Sequence, residues 1–219
     1  MEPISMTGGT VFIDHGRLHT VSLYPGIKVY GEHLSVFNEV EYREWPPQRS
    51  KLSAYLTNGG KYFPFKEDSK VLYLGASSGT TPSHVSDIVR KGSIYCIEFA
   101  PRMFRDLVQT CDHRPNMIPI LGDATKPENY QFIVENADII YEDVAQKRQA
   151  DIIADNMDMF NAKYGMVAIK ARSEDVTMEP NEVFKASERR LKDRGFEILE
   201  TRSLEPFENA HAMIIFKRP

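Results

Sequence analysis

From Lys51 onward, short apolar runs alternate with longer stretches in which apolar residues recur at helical spacing. The runs "KVLYLG", "SIYCIEF", "NMIPILGD", "ADIIYEDV" and "YGMVAIKARS" read as buried strands. Between and around them, "SKLSAYLTNGG", "TPSHVSDIVRKG", "PRMFRDLVQTCD", "PENYQFIVEN", "KRQADIIADNMDMF" and "EPNEVFKASERRLKDRG" read as helices. Pro82 and Pro101 sit in first turns and Gly92 lies just past an end. This alternation predicts a parallel sheet with helices on both faces. The closing runs "FEILETRSL" and "HAMIIFKRP" have no helix between them, so they should pair antiparallel. The first 50 residues differ in texture. "TVFIDH", "RLHTVSLY", "IKVYGEHL" and "SVFNEVEYREW" read as short strands punctuated by Gly16, Gly26 and Gly31, with a hairpin turn at His15-Gly16. "WPPQRSKL" makes a rigid connection. The expected architecture is a small antiparallel β domain over 1–50 and an α/β domain over 51–219 with a seven-stranded, mostly parallel sheet.

Composition fits that size: 219 residues, 42% hydrophobic and 26% charged, suffice for one sizeable α/β domain with a small addition. No apolar run is long enough to span a membrane, and "MEPISMTGGTVFIDHG" lacks the basic and apolar regions of a secretory signal. Cys96 and Cys111 build no disulfide framework, and no Cys/His spacing suggests a metal. Both are expected to be reduced and buried in an intracellular protein. The net charge of −4 means that any nucleic acid must be met by a local basic patch or through a partner.

The chemistry gathers at predicted strand ends, where ligands of open α/β sheets bind. "VLYLGASSGTTPSH" turns from strand to helix through Gly75 and Gly79. Glycine permits a sharp turn and close backbone approach, and the helix start offers free N–H groups to an anion. Ser77 stands where a dinucleotide fingerprint wants its second glycine, and no phosphate-cradling GxxxxGK[ST] occurs. A nicotinamide oxidoreductase and a nucleoside triphosphatase are disfavoured accordingly. Glu98 ends the next strand about 20 residues on, placed to accept from two ribose hydroxyls. Phe99 beside it could stack on a purine, and Asp123 could accept from an adenine amino group. With Asp143, acids stand at three successive strand ends. Each alone is an ordinary cap or turn residue; together they suit a nucleoside and repel a pyrophosphate. A cofactor carrying its own positive charge fits them, and S-adenosylmethionine is one.

With the blocks "RSKL", "VLYLGASSGTTPSHVSDIV", "IEFAPR", "PILGDATKPENY", "YEDVAQ", "IKARSEDVT" and "HAMIIF", the chain resembles the fibrillarin family, in its archaeal form. The glycine-arginine-rich tail of eukaryotic members has no counterpart in the sequence. The resemblance implies a Rossmann-like, S-adenosylmethionine-dependent methyltransferase that methylates ribose 2′-hydroxyls of rRNA and tRNA. It further implies a cytoplasmic box C/D guide ribonucleoprotein with a Nop5-type scaffold and the L7Ae protein. Carried over, the cofactor contacts are Thr80, Thr81, Glu98, Phe99, Asp123, Ala124, Asp143, Val144, Ala145 and Gln146, beside Gly75 and Gly79. The catalytic set implied is Lys51, Asp143 and Lys170, with His211 as candidate for a fourth place.

Lys170 also has a case of its own. It follows "MVAI" at a strand end, where desolvation and a second cation, Lys51, favour the neutral amine while Asp143 opposes. Neutral, it could take the hydroxyl proton; charged, it could stabilise the oxyanion. Asp143 is expected to orient it. A snorkelling strand-end lysine and a structural histidine between alanines are the plain alternatives. Arg49, Lys51, Lys61, Lys66, Lys70, Lys147, Arg148, Lys170 and Arg172 could gather into a basic patch. The Met and Phe of "DIIADNMDMF" are read as core, with an apolar partner surface as the other option. A protein or small-molecule methyltransferase and a non-catalytic, cofactor-binding scaffold are the competing functions.

Overall fold

The computed structural model describes residues 1–219. Its first sheet is antiparallel and holds β1 (Glu2–Pro3), β2 (Val11–Asp14), β3 (Arg17–Val21), β4 (Leu34–Phe37) and β5 (Val40–Glu44), in the order β1-β2-β3-β5-β4. The expected hairpin turn is present: His15 and Gly16 take φ of 47° and 77°, the doubly positive pair that matches strand twist. Two expectations for this sheet fail. "SVFNEVEYREW" is not one strand but a second hairpin, reversed at Asn38 and Glu39. "IKVYGEHL" is no strand, because its amides turn inward: Val29 and Tyr30 donate to the Glu32 carboxylate at 2.9–3.1 Å.

The second part runs α1 (Lys51–Thr57), β6 (Lys70–Leu74), α2 (Thr80–Ile88), β7 (Ser93–Glu98), α3 (Pro101–Asp112), β8 (Met117–Leu121) and β9 (Ile139–Glu142). It continues with α4 (Gln149–Met159), β10 (Tyr164–Lys170), α5 (Ala171–Glu174), α6 (Pro180–Asp193), β11 (Glu197–Ser203) and β12 (His211–Lys217). The strands form a seven-stranded sheet ordered β11-β12-β10-β9-β6-β7-β8, parallel except for β12, which is antiparallel to both neighbours. The chain builds outward from β6 through β7 to β8, then crosses to β9 on the other side. The crevice between β6 and β9 is therefore the topological switch point. "PENYQFIVEN" shrinks to one 3-10 turn over Pro127–Asn129; Pro127, Tyr130 and Val134 are buried and anchor this loop, leaving Phe132 exposed.

Side-chain alternation sorts the strands onto two cores. Val71, Tyr73, Ile139, Tyr141, Met166, Ala168, Met213 and Ile215 face α1, α2 and α3. Leu72, Leu74, Ile140, Val167, Ile169, Ala212 and Ile214 face α4 and α6. Met157 and Phe160 lie in that second core, so the helix they close is packed rather than displayed; only Met159 is exposed. Cys96 is buried, but Cys111 is only half-buried, on the side of α3, with burial raising its thiol to about 12. No helix is long and apolar enough to cross a membrane.

The two sheets are joined by a buried polar cluster. Asp87 on α2 accepts from Thr20 (2.7 Å), the Leu23 amide (3.0 Å), Arg43 (2.7 Å) and Arg114 (2.8 Å). Arg43 also donates to Glu32 at 2.7 Å, and both arginines are buried. The His84 ring stacks on Trp45, centroids 4.9 Å apart, within hydrogen-bond distance of the Thr20 and Tyr30 hydroxyls.

Candidate functional site

The turn between β6 and α2 owes its shape to three left-handed residues: Gly75 (φ 82°), Ser77 (φ 51°) and Gly79 (φ 94°). A Cβ on Gly75 would stand 2.3 Å from the Asp143 carbonyl oxygen, so only glycine lets the turn lie against the end of β9. One on Gly79 would meet Thr110 of α3 at 2.9 Å. Ser77 has the backbone of a glycine with the side chain of a serine. Glu98 locks the turn from β7: its carboxylate accepts from the Ser77 amide at 2.7 Å and from the Ala100 amide at 2.8 Å. The sequence suggested Glu98 as a ligand for hydroxyls; that it also braces the turn is visible only in three dimensions.

Two cavities adjoin here and share Gly75, Ser77 and Asp143. The larger, about 530 Å³, is polar; Arg49, Ser50, Lys51, Tyr73, Thr80 and Thr81 line it. Ser50 and Tyr73 were not anticipated. Ser50 is the N-cap of α1 and accepts from the Thr81 hydroxyl at 3.0 Å, so the helix starts of α1 and α2 meet at the cavity. The smaller cavity, about 270 Å³, has Ile97, Phe99, Ala124, Val144 and Ala145 as apolar walls, with Glu98 and Gln146 as polar ones. Phe99 is 65% exposed, a flat ring at the rim. Gly79 and Asp123 are not walls of either cavity, although Gly122 and Ala124 are. One Asp123 oxygen is committed to the Thr125 amide and hydroxyl at 2.9 and 2.8 Å.

Lys51, at the first position of α1, reaches over the sheet and places Nζ 2.8 Å from Asp143 Oδ1 and 3.0 Å from Oδ2. Asp143 was expected to orient Lys170; it is bonded to Lys51 instead, because α1 crosses the face on which Asp143 emerges. Lys170 and His211 lie directly opposite each other in the antiparallel ladder. Both share the parity of Met166, Ala168 and Met213, hence the face of α1. Extending the β9–β10 register puts Lys170 two positions beyond Asp143 on that face. The Lys170 main chain is bonded on both sides to the Gln149 side chain, and its amine has no ion-pair partner. His211 is buried and donates Nδ1–H to the Asn209 carbonyl at 2.8 Å, leaving Nε2 as an acceptor. Burial holds its pKa below the ordinary value, with Lys51 acting in the same sense. The four candidates thus converge on one face, although only Lys51 and Asp143 touch.

Glu142, one residue before Asp143, points to the opposite core. It is fully buried with both oxygens unpartnered, and burial, with Glu174 and Asp143 adding, raises its pKa well above the carboxylate range. Nothing in a one-dimensional pattern separates these adjacent acids except the alternation of the strand. The basic patch forms only in part. Lys70 opens β6 at the amino edge and Lys66 lines a cavity there with Asp138 and Lys163. The Lys61 amide meets Glu200 on β11. Arg49 and Lys51 remain at the cavity, and Lys147, Arg148, Lys170 and Arg172 follow strands at their carboxyl ends.

The fibrillarin family profile matches residues 7–219. A fibrillarin-like rRNA/tRNA 2′-O-methyltransferase of Methanopyrus kandleri is 57% identical over 199 residues, covering 90% of this chain and 86% of the relative. The crystal structure of Aeropyrum pernix fibrillarin with natively bound S-adenosyl-L-methionine is 49% identical, covers 91% of this chain and 88% of that one, and superposes with a TM-score of 0.85. The fibrillarin of a fibrillarin/Nop5p complex is 41% identical, covers 96% and 98%, and superposes with a TM-score of 0.88. A match over nearly the whole length, in sequence and in backbone alike, settles the relationship: this chain belongs to the fibrillarin family.

Proposed function

We propose that this protein transfers the methyl group of S-adenosylmethionine to ribose 2′-hydroxyls of rRNA and tRNA, within a box C/D guide ribonucleoprotein. The observation that carries the reading is the Lys51–Asp143 pair, with Lys170 and His211 on the same sheet face, beside a cavity braced by Glu98. The pocket residues fit the cofactor. Each Glu98 oxygen accepts one amide and keeps a lone pair for a ribose hydroxyl. Ile97, Phe99, Val144 and Ala145 would offer apolar contact to an adenine ring, with Gly122 and Ala124 lining the same cavity. Asp123 between them lies outside that lining and keeps one oxygen uncommitted, so it is a candidate acceptor only if its side chain turns inward. The starts of α1 and α2, at Ser50, Thr80 and Thr81, present the helix end that suits a carboxylate. Gln146 adds a second polar side chain to the lining that Glu98 shares.

S-adenosylmethionine supplies an electrophilic methyl group on a sulfonium and leaves as S-adenosylhomocysteine. The chain's own residues act on the acceptor. Lys170 meets the 2′-oxygen: as the amine it takes the hydroxyl proton, and as the ammonium it stabilises the negative charge that develops there. Lys51 adds a second cation at the same oxygen, and Asp143 holds Lys51 in place. His211 Nε2, an acceptor, is available to the departing proton. Much of the acceleration comes from holding oxygen and methyl carbon in line.

Net charge and the partial basic patch argue that RNA is held chiefly by others. A Nop5-type scaffold, the L7Ae protein and the guide RNA would bring the target nucleotide; a fibrillarin of the same fold is known in complex with Nop5p. The proposed division at residue 50 separates the β module from the methyltransferase domain. The deciding experiment is a radiolabelled methyl assay on guide-matched RNA with and without these partners. Transfer only in the assembled particle, lost in Lys170→Ala while calorimetry still detects cofactor binding, is the expected result. Efficient methylation of free RNA by the isolated protein would refute the dependence on partners, and full activity of Lys170→Ala would remove the lysine from the reaction.

A further inference from the structure

On its β9 side, β10 loses its strand neighbour after Val167, which faces Glu142, the last residue of β9. Lys170 nonetheless has both main-chain groups satisfied there. Its amide donates to Gln149 Oε1 at 2.9 Å, and Gln149 Nε2 donates back to its carbonyl at 3.3 Å. A fully buried side-chain amide therefore stands in for the missing strand at one residue, the candidate catalytic lysine. Gln149 is itself held. Arg148, the residue before α4, has φ of 64° and provides no side-chain cap. Glu174 supplies the cap from α5, accepting from the Arg148 amide at 2.8 Å, the Gln149 amide at 2.6 Å and Gln149 Nε2 at 3.1 Å. Since α5 follows Lys170 directly, the contacts close a ring: Lys170, α5, Glu174, Gln149 and Lys170 again. Seven residues of chain, Asp143 to Gln149, carry the partner of Lys51, the cavity wall at Val144, Ala145 and Gln146, and this clamp.

We propose that Gln149, seated by Glu174, is a positioning residue for methyl transfer: it sets the direction in which the Lys170 side chain leaves the sheet. It also ties that direction to the segment lining the cofactor cavity. This rests on the reading of Lys170 given above. Gln149 touches no reacting atom; it acts through the lysine.

The test is single-turnover methylation in the assembled guide particle for Gln149→Met, alone and combined with Lys170→Arg. A misplacement of about 1 Å in a reacting group lowers rates on the order of 100-fold. Gln149→Met is expected to slow transfer by about 10- to 100-fold, with the cofactor dissociation constant and RNA binding held within about twofold. In the Lys170→Arg background the same change should have almost no further effect, since residues acting as a unit are not additive. Equal slowing in both backgrounds would mean a general structural role and overturn the proposal, as would an unchanged rate in the wild-type background. A Lys170→Arg protein as fast as wild type would instead bring down the lysine assignment itself. Should Gln149→Met fail to fold, Glu174→Gln carries the test: slowing confined to the Lys170 background supports the clamp, and slowing in both sinks it.

Discussion

Lys51 Nζ sits 2.8 Å from Asp143 Oδ1, with the two side chains 19% and 24% exposed, and this pair joins the start of α1 to the end of β9. An ion pair this open to water contributes only about 0.2–1 kcal/mol to folding. Its value lies in where it places charge. Lys51→Met should therefore melt within a few degrees of wild type yet transfer methyl groups at least about 10-fold more slowly at saturating cofactor. Thermal melts and single-turnover assays on the same preparation check both halves, and a wild-type rate would release Lys51 from the mechanism.

Gly75→Ala tests the cofactor cavity. The new methyl would need the space of the Asp143 carbonyl oxygen, 2.3 Å away, at a residue with φ of 82°. The left-handed conformation alone costs about 1–2 kcal/mol, and the collision pushes the turn from β9. The expected outcome is cofactor affinity weakened by at least about 10-fold, equivalent to 1.4 kcal/mol, read by calorimetry. Unchanged affinity would mean that the turn does not shape the pocket.

Arg43→Ala addresses the junction of the sheets. It strips the buried Glu32 of its cation and Asp87 of one of two. Breaking a buried pair from one side typically destabilises by about 3–5 kcal/mol. Urea unfolding should register a loss of that size in a single transition that includes both sheets. Two separate transitions would show that the β module folds independently.

Acid should destabilise the protein early. His19, His84 and His211 are all buried, with pKa values held below the ordinary 6.5, burial being the main cause in each. Below that value the unfolded chain binds protons that the folded one refuses, so stability is complete above it and falls as pH drops. The slope is about 1.4 kcal/mol per pH unit for each histidine. Glu142 has the opposite sign: its raised pKa means the folded chain keeps a proton that the unfolded chain releases above 4.5. Glu142→Gln should accordingly gain on wild type as pH rises from 4 to 8 in urea titrations, and a constant difference would contradict this.

The strand and helix order was legible because each element carries its own period. Gly75, Glu98 and Asp143 were legible because they punctuate strand ends. What escaped depends on contacts between distant segments. The amides of Val29 and Tyr30 turn from strand to coil for the sake of Glu32, which answers to Arg43. Gln149 looks like any polar residue opening a helix until the end of β10 lies beside it. Even the orientation of Asp143 toward Lys51 required knowing which helix crosses which face.

The double duty proposed for Glu98 sets a rule for anyone redesigning this pocket. Its carboxylate is a tie-rod for the Ser77 and Ala100 amides, and on the proposed reading it is a docking point as well. Retuning the enzyme for a bulkier cofactor analogue by altering Glu98 would slacken the wall it leans on. Phe99, its neighbour at the open rim, lines the cavity without bracing the turn, and is where room can be made without loosening the frame.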